Sequence, residues 1–152
     1  MNHDATSPPK RLDVTAFAQD AGHLQGSDQL AEYRRLVAEA VAPAGDGQIR
    51  WGADGELRGT PGGMRQPWLH LIADTTLPMT CQRCLEPVVV ALAADRWFRF
   101  VADEATAEME DDEAEEDVLA IDDALDLREL IEDELLLALP VVPMHEDCPV
   151  AV

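Results

Sequence analysis

The sequence predicts an α+β fold in which an antiparallel sheet of hairpins packs with an N-terminal helix and a C-terminal amphipathic helix. Between residues 48 and 101, apolar and polar side chains alternate, which is the period of a strand with one buried face. After residue 126, apolar side chains recur at helical spacing instead. Strand patterns followed by a helical pattern, without alternating β and α units, indicate an α+β domain.

The composition is that of one acidic globular domain. The chain has 152 residues, of which 47% are apolar, enough for a single core. We predict a disordered N-terminus over residues 1–9, one domain over residues 10–148 and a C-terminal tail over residues 149–152.

The charge favours basic partners. Eleven basic residues stand against 31 acidic ones, which gives a net charge of −20 that repels a bare phosphate backbone. Three cysteines and the lack of a visible signal peptide indicate the reducing cytoplasm. The sequence contains no run of about 18 apolar residues, so we predict no membrane-spanning helix.

The N-terminal quarter contains two predicted elements. Alternation over Arg11 to Phe17 favours a short strand. Ser27 is a suitable N-cap for a helix over Asp28 to Ala40, where apolar residues fall at helical spacing.

The middle of the chain reads as hairpins. Gln48 to Trp51 is a strand, Ala53 to Glu56 is a turn, and Trp68 to Ala73 is a second apolar strand. Pro78, in the continuation of that strand, requires an edge position or a bulge. Pro87 to Val101 is the longest predicted strand.

A dense run of acidic residues follows this strand. Asp103 to Asp117 contains ten acidic residues and no basic residue, so the pattern predicts a mobile loop. The run either solvates the protein or docks a basic protein. A short strand is predicted at Val118 to Ile121.

The C-terminal helix is predicted over Asp126 to Leu139. Asp126 is its N-cap, with Glu129 completing a capping-box pattern, and Pro140 ends it. Glu134 lies on the apolar face, seven residues after Leu127. A buried carboxylate needs a partner, so we expect an ion pair with Arg96 or Arg99 rather than a catalytic role.

The cysteines suggest a structural metal site. Cys81 and Cys84 form a Cys-x-x-Cys pair at a predicted hairpin tip, and His145 and Cys148 supply a second pair near the C-terminus. Together they are a ligand set for four-coordinate Zn²⁺. The alternatives are a metal-free turn or two ordinary small side chains. A thioredoxin-type redox pair is disfavoured because no βαβ unit surrounds the motif.

Signatures of enzymes are missing from the sequence. It contains no phosphate-binding glycine loop, no Gly-x-Ser-x-Gly and no His-Glu-x-x-His. We therefore predict a protein that is not an enzyme and has no small-molecule substrate.

Two blocks of sequence together resemble the YceD family. The first is Cys81-Gln82-Arg83-Cys84 after an apolar strand. The second runs from Leu130 to His145 and reads LIEDELLLALPVVPMH. The resemblance covers roughly residues 10 to 148 and includes the acidic insertion. The chain departs from many relatives at His145, where a cysteine is often found.

The resemblance implies a non-enzymatic role in making, processing or stabilising 23S ribosomal RNA in bacteria and plastids. With a net charge of −20, the expected partner is a basic ribosomal protein or a large-subunit assembly factor, and direct contact with rRNA stays open. The alternative is a small zinc-knuckle adaptor between proteins that has no connection with ribosomes.

Overall fold

The computed structural model describes residues 2–5, 8–41, 47–59, 65–101, 104–111, 116–120 and 124–143. His145 and Cys148, two of the four predicted zinc ligands, therefore lie outside the described residues, as does the tail over residues 149–152. Within the described ranges, every helix is too short or too polar to cross a lipid bilayer.

The fold is built on one six-stranded sheet in which the strands stand side by side in chain order. The strands are β1 (Asn2–Ala5), β2 (His23–Gln29), β3 (Gln48–Gly59), β4 (Arg65–Thr80), β5 (Pro87–Val101) and β6 (Asp117–Ala120). Strands β2 to β5 run antiparallel, while the outer pairs β1–β2 and β5–β6 are parallel. The predicted α+β class with a mainly antiparallel sheet is confirmed. The predicted turn over Ala53 to Glu56 is wrong, because these residues lie inside the continuous strand β3 and pair with β4.

Helices pack against both faces of this sheet. The helices are α1 (Val14–Gln19), α2 (Arg34–Val37), α3 (Glu104–Asp111) and α4 (Leu127–Leu137), with a 3₁₀ turn at Leu30–Glu32. Helices α1, α2 and α4 cover one face, and α3 packs on the opposite face, where its Ala107 contacts Val101 and Val118. Alternate residues of the long strands meet α1, α2 and α4 in one core. Its members include Tyr33, Leu36, Ile49, Trp51, Leu69, Leu71, Leu77, Leu92, Phe98, Leu127, Ile131 and Leu135.

Helix α4 has the start and the buried face that its sequence predicts. The Asp126 side chain accepts a hydrogen bond from the backbone N–H of Glu129 at 3.0 Å, as an N-cap does. Leu127, Ile131 and Leu135 are fully buried. The helix also caps its neighbour, because the Glu132 carboxylate accepts the backbone N–H groups at the start of α2.

The predicted strand over Arg11 to Phe17 is wrong, because this segment forms α1. The Asp13 side chain accepts the backbone N–H of Ala16 at 3.1 Å and caps the helix. The short alternating pattern matched a strand by chance, since Val14 and Ala18 are also one helical turn apart and both are buried.

The predicted helix over Asp28 to Ala40 begins too early. Ser27 and Asp28 belong to β2, which pairs with β3 along its whole length, and the Ser27 hydroxyl donates to the side chain of Gln48. Helical structure begins only at the 3₁₀ turn and continues in α2. Pairing with the long strand β3 thus overrides the N-cap signal of Ser27.

Two segments expected to lack regular structure carry it in part. Residues 2–5, inside the predicted disordered N-terminus, pair with β2 through the backbone, which polar side chains do not prevent. Residues 104–111, inside the predicted acidic loop, form α3, where Ala107 packs against Val101 and Val118. Mobility of the acidic run stays a prediction.

Helix α1 approaches the sheet closely at a glycine. A Cβ atom added to Gly55 of β3 would lie 2.5 Å from the Phe17 ring, closer than real Cβ contacts allow. At Gly59, at the end of the same strand, the nearest atom is 3.9 Å away. Gly55 is therefore a packing requirement for α1, whereas Gly59 is open.

We expect Gly55→Ala to lower the free energy of unfolding by about 1–3 kcal/mol, because the Phe17 ring must move out of its packed position. Gly59→Ala is the matched control and should stay within about 0.5 kcal/mol. Urea titration of both variants measures the effect. Equal stabilities would show that α1 does not pack on β3 as described.

Candidate functional site

The Cys-x-x-Cys motif forms the tight tip of the β4–β5 hairpin. The Cys81 N–H donates to the Glu86 carbonyl, and the Leu85 N–H donates to the Cys81 carbonyl, both at 2.9 Å. Cys81 is buried and Cys84 is half-buried, and no disulfide joins them. The tip therefore holds two thiols on one short turn, as the sequence predicts.

The residue after the second cysteine adopts an unusual backbone conformation. Leu85 has a φ angle of 63°, in the left-handed region that leucine rarely occupies. Its side chain is 72% exposed, so packing does not explain the choice. The hydrogen bonds of the tip hold Leu85 in this strained conformation. The tight turn that carries the two cysteines therefore depends on it.

The C-terminal segment returns to this tip. The backbone N–H of Gln82, between the two cysteines, donates to the Pro143 carbonyl at 2.8 Å. Pro143 is buried, and it precedes His145 by two residues. Among the described residues, no three His, Cys, Asp or Glu side chains are grouped to hold a metal. Two of the four predicted ligands are thus placed together, and the other two stay a prediction.

The side of β5 facing away from β4 is the second notable feature. Strand β4 pairs with β5 from Pro87 to Arg99, but on the other side β6 pairs only with Phe98 to Val101. In the described part of the chain, residues 88–97 therefore have a strand on one side only. Val89 on this segment is 70% exposed.

A groove of about 580 Å³ lies beside this edge, between α4 and β6. Its apolar lining includes Phe98, Leu119, Leu130 and Leu137, and its polar lining consists of Asp117, Asp133 and Glu134.

Two of the three groove carboxylates pair with Arg96, and the third, Asp133, pairs with Arg35 at 2.7 Å. The Arg96 guanidinium lies 2.5 Å from Asp117 and 3.9 Å from Glu134. The expected pairing of Glu134 with Arg96 is thus confirmed. Burial raises the pKa of Glu134, and the positive charge of Arg96 only partly opposes this.

A buried arginine anchors the acidic run to the sheet. Arg99 contacts the carboxylates of Glu110 and Glu116 at 2.5 and 2.9 Å and the side chain of Gln66 at 3.3 Å. Burial alone would raise the pKa of Glu116, but the hydrogen bonds and charge of Arg99 outweigh it and lower that pKa. Arg99 is therefore a structural ion-pair centre.

Aromatic and basic side chains form a stack on the sheet face opposite the main core. The Arg58 guanidinium lies 4.4 Å from the Trp68 ring and 4.2 Å from the Trp97 ring. His70 stacks on Trp97 at 4.5 Å and contacts Asp95 at 2.5 Å. These contacts stabilise the sheet. They also border a cavity of about 350 Å³, and among the described residues the buried Trp68 Nε1 has no hydrogen-bond partner. The stack is not predictable from the sequence alone, because it depends on cross-strand register.

Comparison with known proteins matches the second half of the chain to a family model. The family described as "Large ribosomal RNA subunit accumulation protein YceD" matches residues 69–152. This region contains most of β4, all of β5, β6 and α4, and both cysteine-containing segments. Neither a search of curated proteins nor a search of solved structures gave a significant match.

We expect Glu134→Gln to change how stability depends on pH. Because the folded-state pKa of Glu134 is raised above 4.5, the native state binds this proton more tightly than the unfolded state. The wild type should therefore lose stability as the pH rises above 4.5 through the folded pKa, and the variant should lack that loss. Denaturant titrations between pH 4.5 and 8 measure it. Parallel stability curves would contradict the burial of a charged Glu134.

Proposed function

Because the chain belongs to the YceD family of large ribosomal RNA subunit accumulation proteins, we propose that it is a non-enzymatic ribosome-biogenesis factor required for accumulation of 23S rRNA. The family match over residues 69–152, more than half of the chain, carries the proposal. The hairpin with its cysteine tip and helix α4 both lie inside that match.

A non-enzymatic role is supported by the polar groups that most resemble catalytic ones. Glu134 is buried, has a raised pKa and lines a groove, yet it sits against Arg96 in an ion-pair network. His70 contacts Asp95, as a general base would contact its orienting carboxylate, but its ring is stacked on Trp97. A structural pairing accounts for each group.

The proposed partner is a basic ribosomal protein or a large-subunit assembly factor. A protein with a net charge of −20 attracts basic proteins over long range and repels the rRNA backbone. The carboxylates of Asp117, Asp133 and Glu134 beside an apolar groove add short-range complementarity. The proposal locates this role in the cytoplasm, where bacterial ribosomes are assembled.

We also propose that Cys81, Cys84, His145 and Cys148 bind one structural Zn²⁺. The tight turn at Cys81 and Cys84 and the hydrogen bond between Gln82 and Pro143 support it, because that bond brings the start of the C-terminal segment to the cysteine tip. Four protein ligands leave no open position for a substrate, so the metal would fasten the segment to the hairpin.

Deletion of the gene should reduce 23S rRNA relative to 16S rRNA and lower the large-subunit peak in a sucrose gradient. Plasmid-borne wild-type protein should restore both, and so should the Gly59→Ala variant, because Gly59 is open. An unchanged ratio of 23S to 16S rRNA in the deletion strain, at several temperatures, would refute the proposed function.

Protein purified without a histidine tag should contain one zinc ion per chain. Cys84→Ser and Cys148→Ser should each lose most of it, whereas Gln82→Ala, which keeps every ligand, should retain it. Zinc affinity should weaken as the pH is lowered, because protons compete with the metal for the thiolates and the imidazole. Elemental analysis at several pH values measures this. A zinc content well below one equivalent in the wild type would contradict the proposed metal site.

A further inference from the structure

We propose that the open edge of β5 binds an extended, basic segment of a protein partner as an added strand. This inference deepens the proposed function and rests on it, since it specifies how the ribosomal partner is held. The site is the backbone edge of residues 88–97, together with the groove between α4 and β6.

The hydrogen-bond pattern of the hairpin shows which backbone groups face outward. Cys81 and Glu86 form a hydrogen-bonded pair, because the Cys81 N–H donates to the Glu86 carbonyl. In an antiparallel ladder such pairs alternate, so Val88 and every second residue after it bond to β4. The residues between them turn their N–H and C=O groups away from β4. These residues are Val89, Ala91, Ala93 and Asp95.

The outward-facing residues leave this edge accessible. Val89 is 70% exposed, and Ala91, Ala93 and Asp95 are exposed as well. Proteins usually protect an open edge with lysine, proline, a bulge or a very short strand. Residues 88–97 contain no lysine and no proline, and they pair with β4 without a break. An accessible, regular edge of about ten residues, roughly 33 Å long, suits strand addition.

The surroundings provide space for side chains of the added strand. Strand β6 occupies the position beside β5 at Phe98 to Val101, so an added strand beside residues 88–97 would continue along the same line. The groove between α4 and β6 lies at the junction, and Leu137 on its wall is 74% exposed. Apolar side chains on one face of the added strand would pack there.

The charge identifies the occupant as basic. Asp95 lies on the edge itself, and Asp117 and Glu134 line the groove at one end of it. These three carboxylates stand against one arginine, Arg96, which pairs with Asp117 and Glu134, so the edge keeps an excess of negative charge. A second copy of this chain would bring another charge of −20 to the same edge and be repelled. A segment in which apolar residues alternate with lysine or arginine fits both the groove and the charge.

The test uses the full-length protein and a mixture of proteins extracted from purified large ribosomal subunits. A bound component is identified by mass spectrometry, purified, and titrated against the wild type. Hydrogen exchange of the complex should show slowed exchange at the amides of Val89, Ala91, Ala93 and Asp95. Sedimentation should give one partner per chain rather than a dimer of this chain.

Two substitutions at one position separate backbone pairing from side-chain effects. Ala93→Pro removes an outward N–H that β4 does not use, so affinity should fall at least about tenfold. Ala93→Thr keeps the N–H and should remain within about threefold. Thermal unfolding shows whether both variants fold, and the hydrogen-exchange result on the wild type does not depend on either of them.

The outcomes distinguish this inference from the proposed function. A partner that binds while the β5 amides exchange as in the free protein, or that binds Ala93→Pro as tightly as the wild type, overturns strand addition. Normal 23S rRNA levels in a strain carrying only the Ala93→Pro variant would also overturn it, because the proposed function would then persist without the edge. If no component binds at low salt, the proposal that a basic large-subunit protein is the partner is wrong.

Discussion

The antiparallel pairing of β4 with β5 is the constraint on which the rest of the structure depends. Thirteen residue pairs, from Thr80–Pro87 to Trp68–Arg99, hold the two strands in one register. One face of the pair supplies the core against α4, and the other carries the stacked aromatic and basic side chains. The cysteine turn stands at one end and the Arg99 ion pairs at the other. A slip of one residue would exchange the two faces and separate these features.

Several acidic side chains near the sheet are held in place by ion pairs with arginines. Arg99 draws Glu110 and Glu116 onto the sheet, and Arg96 holds Asp117 beside the buried Glu134. These pairs offset local repulsion, yet the net charge of −20 leaves a large excess of acidic side chains. This charge would speed encounter with the proposed basic partner, and the apolar groove and the backbone edge would supply directional contacts. The proposed function needs both.

Sequence patterns predicted the parts of the fold where long periodic signals decide the structure. Helix α4, its cap at Asp126 and the long strand from Pro87 fall where they were expected. The N-terminal elements were misread, because α1 and α2 have only six and four residues and pairing with β3 decides the structure between them. The cysteine turn was visible as a motif. The open edge was not, since it depends on which residues remain without a neighbouring strand.

The central claim, that the β4–β5 hairpin holds a basic protein of the large subunit, is tested most directly by photo-crosslinking in living cells. A photoreactive amino acid replaces Val89, 70% exposed on β5, or Met109, 75% exposed on α3 as the control. The account predicts a crosslink from position 89 to a basic ribosomal protein or assembly factor, and a much weaker one from position 109. Crosslinks from position 89 to rRNA alone, or equal products from both positions, would contradict it.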